Sequence, residues 1–136
     1  MISETVADTI RSRFKTQIAD GQSLPTQYDN EGGFTKPNAA IWGRLSIVDG
    51  DTDQADIGST SNRRYRTVGI LYAQLFIPLS KGDKALRVMA GHIETAFRGL
   101  TAGNIHYGTP KGKPMGRDGN YWAYTVRCPF YFDEIG

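Results

Sequence analysis

Between Arg63 and Arg98 the chain first alternates and then turns helical. Tyr65, Thr67, Gly69, Leu71, Ala73, Leu75 and Ile77 fall on one face of a strand. Arg64, Arg66, Val68, Ile70, Tyr72, Gln74 and Phe76 fall on the other. Pro78 lacks the N–H needed to extend a ladder and stops the strand. Ser80, with Asp83 three residues on, reads as a helix start, because hydroxyl and carboxylate can both accept from N–H groups of the first turn. Leu86, Met89, Ala90, Ile93, Phe97 and Leu100 then recur at spacings of three and four, a single apolar stripe. Asp83 with Arg87, and Glu94 with Arg98, stand four apart in acid-first order on the wet side. Gly99 supplies a left-handed stop.

Upstream, Val6, Ile10, Phe14 and Ile18 recur at four-residue steps and predict a helix over 3–20. Ser3 would cap it, Glu4 complement its positive end, and Gly21 end it. Pro25, Gly32, Gly33 and Pro37 make residues 22–37 mostly loop, with a short extended piece at 26–29. A strand is expected over 38–48, with Ile41, Gly43, Leu45 and Ile47 opposite Trp42, Arg44, Ser46 and Val48. Residues 49–62, small and polar, read as a protruding mobile loop between paired strands. Further on, 104–107 is a short strand and 108–120 a second flexible loop rich in Gly, Pro and Lys. The last strand covers 121–132, where Trp122, Tyr124, Val126, Cys128, Phe130 and Phe132 line one face as core. This order predicts an α+β fold: a single mixed, mostly antiparallel β-sheet with two α-helices packed on one face.

With 136 residues, the whole chain, 1–136, is expected to form one domain. Such a chain can bury roughly two thirds of its unfolded surface without a disulfide or a metal. A formal net charge of +2 is too small to point to nucleic acid or a membrane surface. One cysteine, Cys128, cannot close a bridge within the chain and suits a reducing compartment. Glu4, Asp8, Arg11, Arg13 and Lys15 interrupt any apolar core a signal peptide would need. The longest apolar run falls far short of the ~20 residues of a membrane span. The expectation is a soluble protein made in the cytoplasm.

Candidate chemistry is thin. His92 and His106 do not share a spacing that binds metal. Cys128 alternates inward between Val126 and Phe130, where a thiol behaves as a small hydrophobe with a raised pKa. The Gly108-Thr109-Pro110-Lys111-Gly112-Lys113-Pro114 segment has the wrong spacing for a phosphate loop, with proline where a magnesium-binding hydroxyl belongs. The acidic run from Asp49 to Asp56 lacks the ordered oxygens and closing glutamate of a calcium loop. No cofactor, no metal and no catalysis are expected, since no acid, base, nucleophile and pocket can be proposed together.

The charged segments suggest contacts instead. Asp49, Asp51, Asp53 and Asp56 precede Arg63, Arg64 and Arg66, so one surface carries both signs, as a head-to-tail ring can use. Lys111, Lys113 and Arg117 read as a solvated loop or a partner contact. Joined by Tyr107, Tyr121 and Trp122 as stacking partners, they also define the alternative of a nucleic-acid-binding module. The modest charge and the acidic stretch argue against that alternative.

The strand Arg64–Pro78, the Gly82-Asp83-Lys84-Ala85 opening of the helix and its Phe97-Arg98-Gly99 end resemble the tail-terminator proteins of long-tailed bacteriophages. So does the aromatic last strand, from Tyr121-Trp122-Ala123-Tyr124 to Pro129-Phe130-Tyr131-Phe132-Asp133, and the element order is similar to the lambda-type terminator. The resemblance covers most of the chain through patterns of residue type, not an invariant signature. It implies a small subunit that assembles as a six-fold ring, caps the finished tail tube, stops polymerisation and offers the surface for joining the head. The implied partners are further copies of the chain, the tail tube protein and a head-completion (stopper) protein. Genomic DNA would pass through the ring without sequence recognition, and no membrane is involved. The implied location is the tail and neck of the virion, after assembly in the bacterial cytoplasm. A head-side neck protein of the same joint is the alternative. The family brings no catalytic residues, so the interface candidates rest on local charge alone.

Overall fold

In a computed structural model of the chain, which describes residues 4–29, 34, 40–54, 64–102 and 104–135, the long alternating strand runs through the middle of a seven-stranded sheet. That strand, β3 (Arg64–Pro78), pairs antiparallel with β7 (Tyr121–Ile135) along its whole length, from Arg64 opposite Ile135 to Pro78 opposite Tyr121. Its other side pairs antiparallel with β2 (Trp42–Gln54). A short β1 (Thr26–Tyr28) adds in parallel to Gly43–Leu45 of β2, which makes the sheet mixed. Two strands share the far side of β7. The first, β6 (Lys111–Asp118), takes Tyr121–Arg127; β5 (Ile105–Tyr107) takes Phe130–Phe132 and carries β4 (Thr101–Ala102) outside it. The expected α+β architecture is present.

One face of the sheet is closed by two helices, α1 (Glu4–Phe14) and α2 (Lys84–Phe97). Leu71, Ala73 and Leu75 of β3 and Val126, Cys128 and Phe132 of β7 are fully buried beneath Ile10, Phe14, Leu86, Ile93 and Phe97 in one cluster. Burying each large apolar side chain in such a cluster contributes about 1.5–3 kcal/mol. Arg13 ties the helices together by donating from Nε and Nη2 to the Ala96 carbonyl, at 3.0 and 2.7 Å, where the end of α2 leaves acceptors over. The expected wet-side pairs form, Arg87 on Asp83 at 2.8 Å and Arg98 on Glu94 at 3.5 Å. Gly99 stops the segment at φ +60°.

Several boundaries differ from the sequence reading, each for a physical reason. The first helix changes at Lys15–Asp20 into a π turn. In a strict α-helix a four-residue step overshoots one turn by about 40°, so Ile18 would lie about 120° past Val6. The wider turn offsets that drift and Ile18 stays buried. Ser3 lies outside the described residues. Ser80 does not cap α2: it occupies a turn at φ +69°, and the Asp83 carboxylate is spent on Arg87. The second strand begins at Trp42, not at 38, and residues 38 and 39 lie outside the described residues.

Both expected loops are corrected in part, at 49–54 and at 111–118, while 55–62 lie outside the described residues. Asp49, Asp51 and Asp53 belong to β2, which continues past a bulge between Asp49 and Thr52 to place Asp53 opposite Arg66. Lys111, Lys113 and Arg117 belong to β6. Asp, Gly and Pro score poorly as strand formers, yet a long paired neighbour supplies the ladder that propensity does not. Gly112 fits there because a Cβ would stand 2.6 Å from the Tyr124 hydroxyl. Trp122, expected in the core, is 40% exposed, because it sits at the hairpin end of β7.

Candidate functional site

The sheet face turned away from the helices is covered unevenly. At one end the register sets Trp42 beside Phe76 and Phe76 beside Ala123. Trp42 stacks on Phe76 at 4.3 Å, Phe34 tilts over it at 5.6 Å, and Tyr121 meets it edge-on at 5.5 Å. Trp42 is thereby only 1% exposed on a face that no helix among the described residues covers.

At the other end the face is open. Val48, Ile70 and Pro129 lie in one row across β2, β3 and β7, and Val68, Tyr131 and His106 lie in the next. They line a trough of about 460 Å³. Val48 is 49% and Val68 44% exposed. The bulge of β2 brings Gly50 so close that a Cβ would stand 2.7 Å from the Val68 carbonyl oxygen, so only glycine fits without displacing β3.

The floor of the trough is held rigid. Tyr131 is stacked by His106 at 4.7 Å and overlain by the Arg66 guanidinium at 4.3 Å. Arg66 in turn donates from Nε and Nη2 to the two carboxylate oxygens of Asp133, at 2.8 and 3.1 Å, a bidentate pair. Arg64 approaches the same carboxylate at 3.7 Å. The hydrogen bonds from Arg66 hold the Asp133 carboxyl below its ordinary 3.8 against the opposing effect of desolvation, with the charges of Arg66 and Arg64 adding to it.

The interface candidates are thus separated. Asp49, Asp51 and Asp53 are exposed along the end of β2 beside the trough. Arg64 and Arg66 are engaged with Asp133 of their own chain. Asp56 and Arg63 lie outside the described residues. Lys111, Lys113 and Arg117 are exposed on β6, along the opposite edge of the sheet and at its other end. The acidic and basic groups therefore mark diagonal corners. Asp133 was missed by sequence reasoning: it follows the aromatic strand without any motif, and only the register that sets it opposite Arg66 reveals its part.

Elsewhere, burial pushes the Cys128 thiol up to about 11, and its weak S–H contact reaches the Gly108 carbonyl at 3.9 Å. Among the described residues no cluster of three or more His, Cys, Asp or Glu could hold a metal ion. None of their helices is long and apolar enough to cross a membrane. Physically, the open face can hold an apolar side chain against a rigid aromatic floor, beside an acidic rim.

Comparison with known proteins adds a family. A family model described as phage tail terminator protein matches residues 5–130. No curated protein matches the chain. Among solved structures, one whose name is only a sequence identifier is similar over 96% of this chain and 95% of its own, at 19% identity and a TM-score of 0.57. That likeness concerns the fold alone.

Proposed function

This chain belongs to the phage tail terminator family, structural components of the phage tail, and from that premise we propose that it closes the tail tube of a long-tailed phage. Copies join as a six-fold ring on the last tube layer, end polymerisation and present the surface to which a head-completion protein binds. The ring is loaded in the host cytoplasm and stays in the virion at the neck. DNA passes through it without sequence recognition, in keeping with a net charge of only +2. The subunit works by shape and charge, without turnover of a substrate.

The observation that carries this reading is the family match across 5–130, nearly the whole chain. The sheet supports it: one face is packed, and the other leaves an apolar trough and two charged corners for contacts with other subunits. The test adds purified protein to polymerising tail tube subunits and measures tube length by electron microscopy. Tubes that stop lengthening and carry an end cap are expected. Unregulated growth at saturating protein overturns the reading.

A further inference from the structure

We propose that the open trough receives the β6–β7 hairpin of a second copy, with Trp122 and Met115 inserted and Lys113 and Arg117 against the acidic rim. This rests on the ring reading above and names the two surfaces through which its copies join. Apolar exposure is the first argument. Among the described residues the large exposed hydrophobic side chains are Val48, Val68, Val88, Met115 and Trp122. Two of them line the trough and two lie in the hairpin. The far end of the same face shows how such exposure is relieved: Phe34 lies over Trp42.

Charge supplies the second argument. Among the described residues, Asp49, Asp51 and Asp53 stand exposed on β2 beside the trough, while the nearby Asp133 is taken up by Arg66 and Arg64. In the hairpin, from Lys111 to Arg127, four cations face one carboxylate, Asp118. The hairpin thus carries an excess of positive charge and the β2 rim of the trough an excess of negative charge, which favours this pairing over trough on trough or knob on knob.

Geometry gives the third. Trp122 and Pro129 to Tyr131 lie seven to nine residues apart on one strand, roughly 23–30 Å at 3.3 Å per residue. The hairpin cannot reach its own trough. A contact between two different patches is head-to-tail, so each copy offers one knob and one trough, and a closed ring leaves neither exposed. Pro114 and the bulge between Pro114 and Gly116 spoil the outer edge of β6 for another strand, so the hairpin docks through side chains and not by extending the sheet.

The test uses the full chain carrying Met115→Cys or Val68→Cys, with Cys128 buried and slow to react. The two variants are oxidised separately and mixed, in solution and on isolated tail tubes, and sedimentation reports association in parallel. At least ten-fold more disulfide-linked dimer is expected from the mixture than from either variant alone. Association without that preference, or efficient cross-linking of one variant with itself, overturns the docking and leaves the ring intact. A protein that stays monomeric at all concentrations and on tubes overturns the ring, and the docking with it. Trp122→Glu and Val68→Arg provide the second measurement: each alone is expected to stop at monomer with an unchanged melting curve. Mixed, they form a dimer that grows no further, because one intact knob meets one intact trough. A mixture that assembles no further than its parts overturns the pairing.

Discussion

The two faces of the sheet are built from the same strands and have opposite fates. On β3, Leu71, Ala73 and Leu75 vanish beneath two helices, whereas Val68 and Ile70, on the other face of the same strand, line an open trough. The apolar content of the two faces is similar along this stretch; what differs is the cover. Two amphipathic helices bring continuous stripes to the first face, while among the described residues Phe34 reaches over the second, at the Trp42 end. An apolar strand face therefore signals burial against something, and the described residues supply a helical cover on one side only.

The sharpest way to break this contrast is to remove an anchor from each face. Phe97 is fully buried, with Phe14 stacked at 6.5 Å and Tyr107 edge-on at 5.1 Å. Phe97→Ala should cost about 3–5 kcal/mol in urea unfolding. Trp42→Ala should fall at about 3 kcal/mol or less, because the half-buried Phe34 and Tyr121 can settle into the space. Val68→Thr, in the trough, should stay within about 0.5 kcal/mol. Equal losses at Phe97 and Trp42 would mean that the second face is as tightly closed as the first.

An intermediate effect separates the faces by alkali. Burial raises Cys128 from 9.0 to about 11 and Tyr107 from 10.0 to about 12, and both lie in the helix-covered core. The Tyr107 hydroxyl has no hydrogen-bond partner among the described residues, and the Arg13 charge offsets only part of the desolvation of its anion. Folding holds both groups protonated, whereas the unfolded chain releases these protons from about pH 9 upward. The stability they carry is complete below that value and drains away as pH rises toward 11–12. The loss at pH 10.5 is expected on the order of 2 kcal/mol by urea unfolding. Cys128→Val should remove the part that begins near pH 9. A flat profile from pH 8 to 11 would place water around these side chains.

The elements legible in the sequence are those whose periodicity is unbroken. β3, α2 and the aromatic half of β7 carry a two-residue or three-to-four-residue rhythm that burial alone imposes. The acidic half of β2 and all of β6 carry none. Asp51, Gly112 and Pro114 are poor strand formers whose conformation is set by neighbours distant in sequence, β3 and β7. The aromatic cluster on Trp42 draws on three strands and on residue 34, so no local window contains it. The charges of β2 and β6 were readable as charges, but their diagonal placement follows only from strand order. Asp133 stayed invisible for the same reason.

The smallest effect belongs to the ion pair beneath the trough, and it titrates at the other end of the pH scale. Asp133 is held below its ordinary 3.8 chiefly by hydrogen bonds from Arg66. A depressed carboxyl contributes stability that is present above pH 3.8 and is lost as pH falls through the lower folded value. The Arg66 side chain is 43% exposed, so solvent screens most of that contribution and added salt should weaken it further. Arg66→Gln should let the Asp133 carboxyl rise toward 3.8, read by carbon-13 NMR of its carboxyl resonance, with little movement in urea midpoint above pH 5. The same substitution removes the cation from Tyr131, leaving His106 as its stacking partner, and should loosen the trough floor without touching the helix-covered core. An Asp133 titration unchanged by Arg66→Gln would transfer its hold to Arg64, 3.7 Å away. The open face would then rest on a different residue, while its acid sensitivity, set against the alkali sensitivity of the closed face, would remain.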